Sequence, residues 1–555
     1  MIPTLVLAAA LCAPAAFAQD APGSRAARVD SLFARYDSEP SPGLALVVVR
    51  DGRVVLRRGY GLANLEHRVR ITPETVFDVA SVSKQFTGLA VAMLVAEGRI
   101  ALSDEVRRYI PELPARERPI TIGQLVHHTS GVRDWPGALS VAGWRYDDVI
   151  SSGQILALAY RARTLNFEPG ADHLYSNTGY NLLAELVARV TGQSLAEWSR
   201  ARLFRPLGMT RTHFRTDYRE VIPDRAYGYR RGPDGAFLAI PDNLVAPGSS
   251  SLFSSVDDLG RWLRNFDDLA VGGREAHRLM RTPGRLDDGT PVPYAFGVLT
   301  GTYRGMPMFT HGGGWAGFDT YTVYMPEQRL GIAVLANSDE VDAQRATIQV
   351  ANVYLDVEES PAGTAPAATP GERGVSAISP AAAETHVGLY RLGPGRYLRI
   401  DHGGGGLTVQ ETGGDPQPLT PVSAAEYVIG RGGERLVLSR DSAHGELTVE
   451  TAGVRGRRVQ RGAPPSPPPL AEFVGTYESP ELGTSYEVTL RADTLALVHP
   501  RHGRIPLTPL WRDDFGSAVW FLRSVEFQRD GQGRVTGFLV NGDPRNRDIR
   551  FDRRR

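Results

Sequence analysis

One lysine occurs in 555 residues, against 61 arginines. Cysteine is as scarce, with Cys12 the single example. Net charge is missing too, because 62 basic and 62 acidic residues cancel. Each shortage excludes something. Without net charge no long-range field draws the chain to nucleic acid or anionic membranes, and a compact neutral or zwitterionic substrate suits it better than a polyanion. Cys12 lies within an apolar run, Leu5 to Ala16, that ends in the small-x-small site Ala16-Phe17-Ala18 before Gln19. This pattern reads as an export signal over residues 1–18, although its first residues carry no lysine or arginine. The run is too short for an ordinary membrane span. A mature chain lacking cysteine has no disulfide, thiol nucleophile or thiolate-bound metal. The expected location is periplasmic or secreted, with no cofactor and no metal.

The lysine shortage says more. Arginine serves wherever a solvated positive charge is enough, but it keeps its proton at any useful pH; a buried lysine can lose its own. Lys84 is therefore expected to sit where deprotonation is required. It lies three residues after Ser81 in Ser81-Val82-Ser83-Lys84, at the start of a helix with one apolar face, Phe86, Leu89, Met93 and Ala96, that stops at Gly98. Positions i and i+3 share a face, so amine and hydroxyl can meet. The helix N-terminus favours a developing alkoxide over an ammonium. Ser81 reads as a nucleophile and Lys84 as its base. Ser-x-x-Lys alone is a common tetrapeptide; the composition singles this one out.

Two further segments have suitable chemistry. Tyr175-Ser176-Asn177 follows the turn Glu168-Pro169-Gly170 and precedes a helix from about Gly179. A tyrosine there can relay a proton and an asparagine can bind a substrate carbonyl, but the same residues also suit a plain helix cap. In His311-Gly312-Gly313-Gly314-Trp315-Ala316-Gly317, closely spaced glycines offer backbone N–H groups to a ligand. The alternative is a glycine-rich hairpin loop with an ordinary histidine. His127-His128 is no metal pair, since adjacent side chains point apart; His128 reads as structural.

Residues 25–355 mix strand and helix signals. Hairpins are expected at Leu44–Val49 with Val54–Leu56 around Asp51-Gly52, and at Tyr321–Met325 with Leu330–Leu335 around Pro326-Glu327. A Pro/Ala/Gly-rich linker spans about 356–382, and the proline run Pro464–Pro469 makes a stiff spacer over 462–469. Segments 383–461 and 470–555 read as two small antiparallel β-barrels. They open alike, Val387-Gly388-Leu389-Tyr390 and Val474-Gly475-Thr476-Tyr477. The linkers should isolate these units, so a chain cut after about residue 356 should keep its chemistry.

The three motifs, in this order, resemble the β-lactamase-related serine hydrolases: class C β-lactamases, D,D-peptidases, D-aminopeptidases and some esterases. Phe77-Asp78-Val79-Ala80, Leu125 to Gly131, Pro206-Leu207-Gly208-Met209 and Ser254 to Leu259 extend the likeness across residues 25–355. The resemblance implies an α/β catalytic domain of penicillin-binding type, an antiparallel sheet flanked by helices plus a helical subdomain. It implies Ser81 as acylated nucleophile, Lys84 as base, Tyr175 as proton relay and Asn177 as a ligand of the substrate carbonyl. The amides of Ser81 and Gly314 would form the oxyanion hole, with His311 and Gly313 lining the substrate. The β-lactamases carry Lys-Thr-Gly where this chain has His311-Gly312-Gly313, and that lysine helps hold a carboxylate. Histidine there and two C-terminal barrels resemble the D-aminopeptidases, in which one barrel sends a loop to the active site. A small peptide or an ester is the substrate these features imply: a D-aminopeptidase foremost, then a carboxylesterase or a β-lactamase or D,D-carboxypeptidase, and least a non-catalytic binder.

Overall fold

The computed structural model describes residues 23–357 except 39, and 383–554 except 394–395, 404–405, 413, 431–433, 441–446, 452–453, 461–468 and 544. The expected export signal and most of both linkers lie outside the described residues.

The run Leu44 to Val49 is apolar at every position because both faces of its strand are covered. Leu44, Leu46 and Val48 pack with Val29 and Phe33 of the Arg25–Phe33 helix and Val350 and Tyr354 of the Ala343–Leu355 helix. Ala45, Val47 and Val49 face the other way, into the main core. This strand (Leu44–Arg50) pairs with Arg53–Tyr60 on one side and Leu330–Ala336 on the other. Phe318–Met325, Met306–Trp315 and Leu299–Tyr303 then complete a six-stranded antiparallel sheet. Both expected hairpins are present within it.

The helix after Ser81 departs from expectation. It spans Ser83–Ala96, and every residue from Ser83 to Leu94 is buried, whereas Ala96 is exposed. One apolar face would suit a surface helix. This one is the central element between the sheet and a helical subdomain that includes Ile122–Val126, Trp135–Val141, Ser152–Arg161 and Asn177–Thr191.

Eight strands between Gly388 and Gln460 close into a barrel. A nine-stranded antiparallel sheet follows between Gly475 and Arg553, its edge strands Gly503–Pro506 and Thr508–Trp511 being neighbours in sequence. The shared openings of the two units are structural equivalents. Tyr390 Oη donates to the His386 carbonyl and Tyr477 Oη to the Phe473 carbonyl, each four residues back at 2.7 Å. Gly388 and Gly475 hold φ of 153° and 154°.

The isolation expected beyond residue 356 is not found. Trp135, Leu139, Val141, Ile155 and Leu158 of the helical subdomain share one core with Phe473, Tyr486, Leu507, Phe521 and Leu522 of the last unit. Polar contacts reinforce it: Tyr486 Oη donates to the Val141 carbonyl at 2.9 Å, and Arg133 pairs with Glu481 at 2.7 Å, both nearly buried. A spacer in sequence does not prevent docking in space, and apolar side chains on both sides of this junction drive it.

Candidate active site

Ser81 occupies a short 3₁₀ turn, Ala80–Val82, that leads into the Ser83–Ala96 helix. Ala80 holds φ +46°, a region costly for a residue with a Cβ. The strain is held from both sides: Ala80 N donates to Asp78 Oδ1 at 2.7 Å, and Ser83 Oγ donates to the Ala80 carbonyl.

One turn on, Lys84 is fully buried. Its Nζ lies 3.0 Å from Ser81 Oγ, 2.8 Å from Asn177 Oδ1 and 2.7 Å from the Ser249 carbonyl. It also stands 4.8 Å from the Tyr175 ring centroid and 5.8 Å from that of Tyr180. Burial pushes its pKa well below the ordinary lysine value; Asp134 pulls upward and Arg545 pushes down. The Tyr175 hydroxyl keeps its proton over the ordinary pH range because burial raises its pKa, with a hydrogen bond to Ser81 acting against the rise.

Asn177 opens the Asn177–Thr191 helix, and Ser176 is the N-cap, accepting from Gly179 N at 3.2 Å. The cap and the site are thus one structure rather than alternatives. The Asn177 amide is engaged at both ends, its oxygen by Lys84 and its nitrogen by Asp134 Oδ2 at 3.0 Å. It is a ligand of the lysine, and one of its two Nδ2 hydrogens goes to Asp134.

His311 to Trp315 form the end of the Met306–Trp315 strand rather than a loop. A Cβ on Gly313 would come within 2.5 Å of the Val79 carbonyl and 2.8 Å of Ser81 N. Only glycine lets this strand lie against the serine turn, and the exposed Gly314 follows it. The amides of Ser81 and Gly314 are the donors expected for an oxyanion. A folded Gly313→Ala protein should acylate on the order of 10²-fold more slowly, because the strand must shift away. Near-normal labelling by a fluorophosphonate would remove the strand from the reacting centre.

His311 is buried, and both its nitrogens are in use: Nδ1 donates to the Gly312 carbonyl at 2.6 Å and Nε2 accepts from Tyr294 Oη at 2.8 Å. Burial, with Lys84 nearby, lowers its pKa to about 3, so the ring is neutral at ordinary pH. It offers a substrate carboxylate neither charge nor a spare donor.

A family model described as Beta-lactamase matches residues 29–355, more than half of the chain. The chain belongs to the β-lactamase family. It is a serine hydrolase of that family. Among its relatives, a D-aminopeptidase of Gluconobacter oxydans is 28% identical over 84% of each chain. A D-aminopeptidase of Brucella anthropi is 27% identical over 90% of this chain and 93% of the relative. Similar solved structures include the octameric penicillin-binding protein homologue from Pyrococcus abyssi, at 22% identity and TM-score 0.55, covering 78% of this chain and 99% of that one. The D-amino acid amidase from Ochrobactrum anthropi SV3 has 21% identity and TM-score 0.51, covering 60% and 98%. These structural likenesses bear on the fold.

Other residues complete this β-lactamase-family site, and Asp134, Asp543 and Arg545 among them gave no sequence signal. His128, read as structural, is buried with its ring 4.4 Å from those of Tyr175 and Tyr294, and its Nδ1 accepts from Ser176 N at 3.1 Å. Asp134 is wholly buried, and its Oδ1 accepts from Asn177 N at 2.7 Å. Arg545 NH1 reaches Asp134 Oδ2 at 3.0 Å, and its backbone carbonyl accepts from Asn166 Nδ2 at 2.9 Å. Asp543 precedes it, with Oδ1 accepting from Arg545 N and Oδ2 buried without a partner. The loop approaches so closely that a Cβ on Gly137 would lie 2.4 Å from Asn546 Nδ2. Contacts between residues some 400 positions apart leave no spacing for a sequence reading to detect.

Proposed function

We propose that the chain is an exported acyl-enzyme hydrolase that removes an N-terminal D-residue from short peptides or amides. The observation that carries the chemistry is the set of partners around Lys84 Nζ. Asn177 Oδ1 and the Ser249 carbonyl can only accept. A neutral amine gives one N–H to each, and its lone pair is left for the proton of Ser81.

Ser81 Oγ attacks the substrate carbonyl as its proton passes to Lys84 Nζ. The amides of Ser81 and Gly314 hold the oxyanion. Tyr175, protonated at working pH, hands its proton to the leaving nitrogen and recovers one from Lys84. The C–N bond breaks and the acyl group stays on Ser81. Water, deprotonated through the same groups, then releases the acid.

Specificity rests on other features. His311 has nothing left for a carboxylate, which disfavours penicillin-like and D,D-carboxypeptidase substrates. A free α-ammonium needs an acceptor, and Oδ2 of Asp543, which has no partner, lies on the loop that brings Arg545 to Asp134. The stereochemistry is carried by the D-aminopeptidase relatives, whose match includes the C-terminal units. Export follows from the N-terminal pattern. A hydrolysis screen of D-aminoacyl amides, their L-forms, N-acetylated forms and simple esters tests the reading. Turnover should favour the free D-amine by at least about tenfold, and Asp543→Asn should remove most of that preference while sparing esters. Preference for esters or N-acetylated substrates would make the protein a carboxylesterase or another acyl hydrolase.

A further inference from the structure

A buried carboxylate one amide away from a buried lysine sets a problem that the proposed mechanism leaves open. Asp134 is gripped by Asn177 through both its backbone N–H and its Nδ2, and Asn177 touches Lys84 with its other end. A charge this buried demands a compensating charge. If Lys84 were the only cation at hand it would stay protonated, and a protonated lysine cannot take the proton of Ser81.

We propose that Arg545, delivered by the last β-unit, is the counter-ion that neutralises Asp134 and so leaves Lys84 free to be an uncharged base. The geometry supports it. Arg545 NH1 is 3.0 Å from the same Oδ2 that receives the Asn177 amide. Its loop is anchored from both flanks: the Arg545 carbonyl accepts from Asn166, and Arg547 N donates to Asn166 Oδ1 at 2.8 Å. Arg133, nearly buried, donates to the carbonyls of Arg547 and Asp548 at 3.0 and 3.2 Å. Arg545 is therefore placed by backbone contacts, not merely drawn there by charge.

The other groups around the lysine do not take over this task. Tyr175 and Tyr180 present neutral rings, Ser249 a carbonyl, and His128 and His311 are held neutral by burial with Lys84 beside them. Asp543, which also faces Arg545, adds negative charge and strengthens the need for the arginine. Asp134 itself is raised by burial and lowered by Arg545, to about 6, which keeps it ionised at neutral pH. Arg545 is a positioning residue: it acts on Lys84 through Asp134 and Asn177.

The inference rests on Lys84 being the base, so the test separates the two. Acylation rates of the full chain with a small reactive ester are measured from pH 5 to 10 for wild type, Arg545→Met, Arg545→Lys, Asp134→Asn/Arg545→Met and Lys84→Arg, with circular dichroism on each. Removing the arginine raises the proton affinity of Lys84, so the acid limb of Arg545→Met should move up by about one pH unit or more, losing roughly tenfold at pH values on that limb and recovering at high pH. Arg545→Lys should keep the limb near its original place even if the rate falls. The double variant, lacking both charges, should bring the limb back down. A folded Arg545→Met protein slowed equally at every pH, or unchanged, would overturn the role of Arg545. If Lys84→Arg acylates normally, the base assignment itself fails; if Lys84→Arg is inactive and the limb does not move, only the present inference does.

Discussion

Lys84→Arg should leave a folded protein that acylates at least about a hundredfold more slowly, since loss of a positioned base costs on the order of 10²–10⁴ in rate. The substitution keeps a cation and removes only the ability to lose its proton. It also cannot keep the contacts of Lys84 Nζ with Ser81, Asn177 and Ser249, because the planar guanidinium points its donors differently from a tetrahedral amine. The wild type should show the matching pH dependence. Its active form has neutral Lys84, so activity falls as pH drops through the apparent pKa. Burial places that value well below the free-lysine value of about 10.4. The titration belongs to Lys84, Tyr175 and Ser81 together. Melting and circular dichroism establish that the variant is folded before rates are compared. Near-normal acylation by a folded Lys84→Arg enzyme would falsify the mechanism.

The second large effect concerns the C-terminal units. Ending the chain after residue 357 should give a protein that aggregates or, if soluble, acylates at least about tenfold more slowly than the full chain on the acid limb of the pH profile. Two losses combine. Trp135, Leu139, Val141, Ile155 and Leu158 lose part of their cover. Fully burying one such side chain is worth about 1.5–3 kcal/mol, and a whole domain is stable by only about 5–15 kcal/mol. Arg545 goes as well, leaving Asp134 without its counter-ion. Size-exclusion chromatography with fluorophosphonate labelling checks both. A monodisperse fragment that labels at the full-chain rate would show that the last unit is an accessory.

What the sequence disclosed was local. Ser81 and Lys84 are three residues apart, and the lone lysine among arginines marks a site by composition. Strand periodicity located the two hairpins of the central sheet, because each pairs neighbouring segments. The paired openings at Val387 and Val474 proved to be equivalent corners, since the tyrosine and the carbonyl it binds are four residues apart. Misreadings arose where burial comes from distant partners. The helix after Ser81 shows an apolar face in sequence, yet its polar residues Gln85 and Thr87 are buried as well: Gln85 Nε2 donates to Thr322 Oγ1 at 2.7 Å and Thr87 Oγ1 to the Gly248 carbonyl at 2.9 Å. Asn177 could not be linked to Asp134 from sequence, because the two partners lie 43 residues apart. Arg545 is one arginine among 61, and nothing near it in sequence distinguishes it.

A chain whose single lysine side chain is fully enclosed has almost no surface for amine chemistry. Imidoesters and aldehydes with a reductant, which modify amines and leave hydroxyls alone, would find the α-amino group and little else on the folded protein. Immobilisation or dye attachment through amines should therefore proceed at one point and spare activity. By the same logic, lysine modification becomes a gauge of opening at the centre of the molecule: mass added at Lys84 reports that the site has come apart, with no other side chain to confuse the reading.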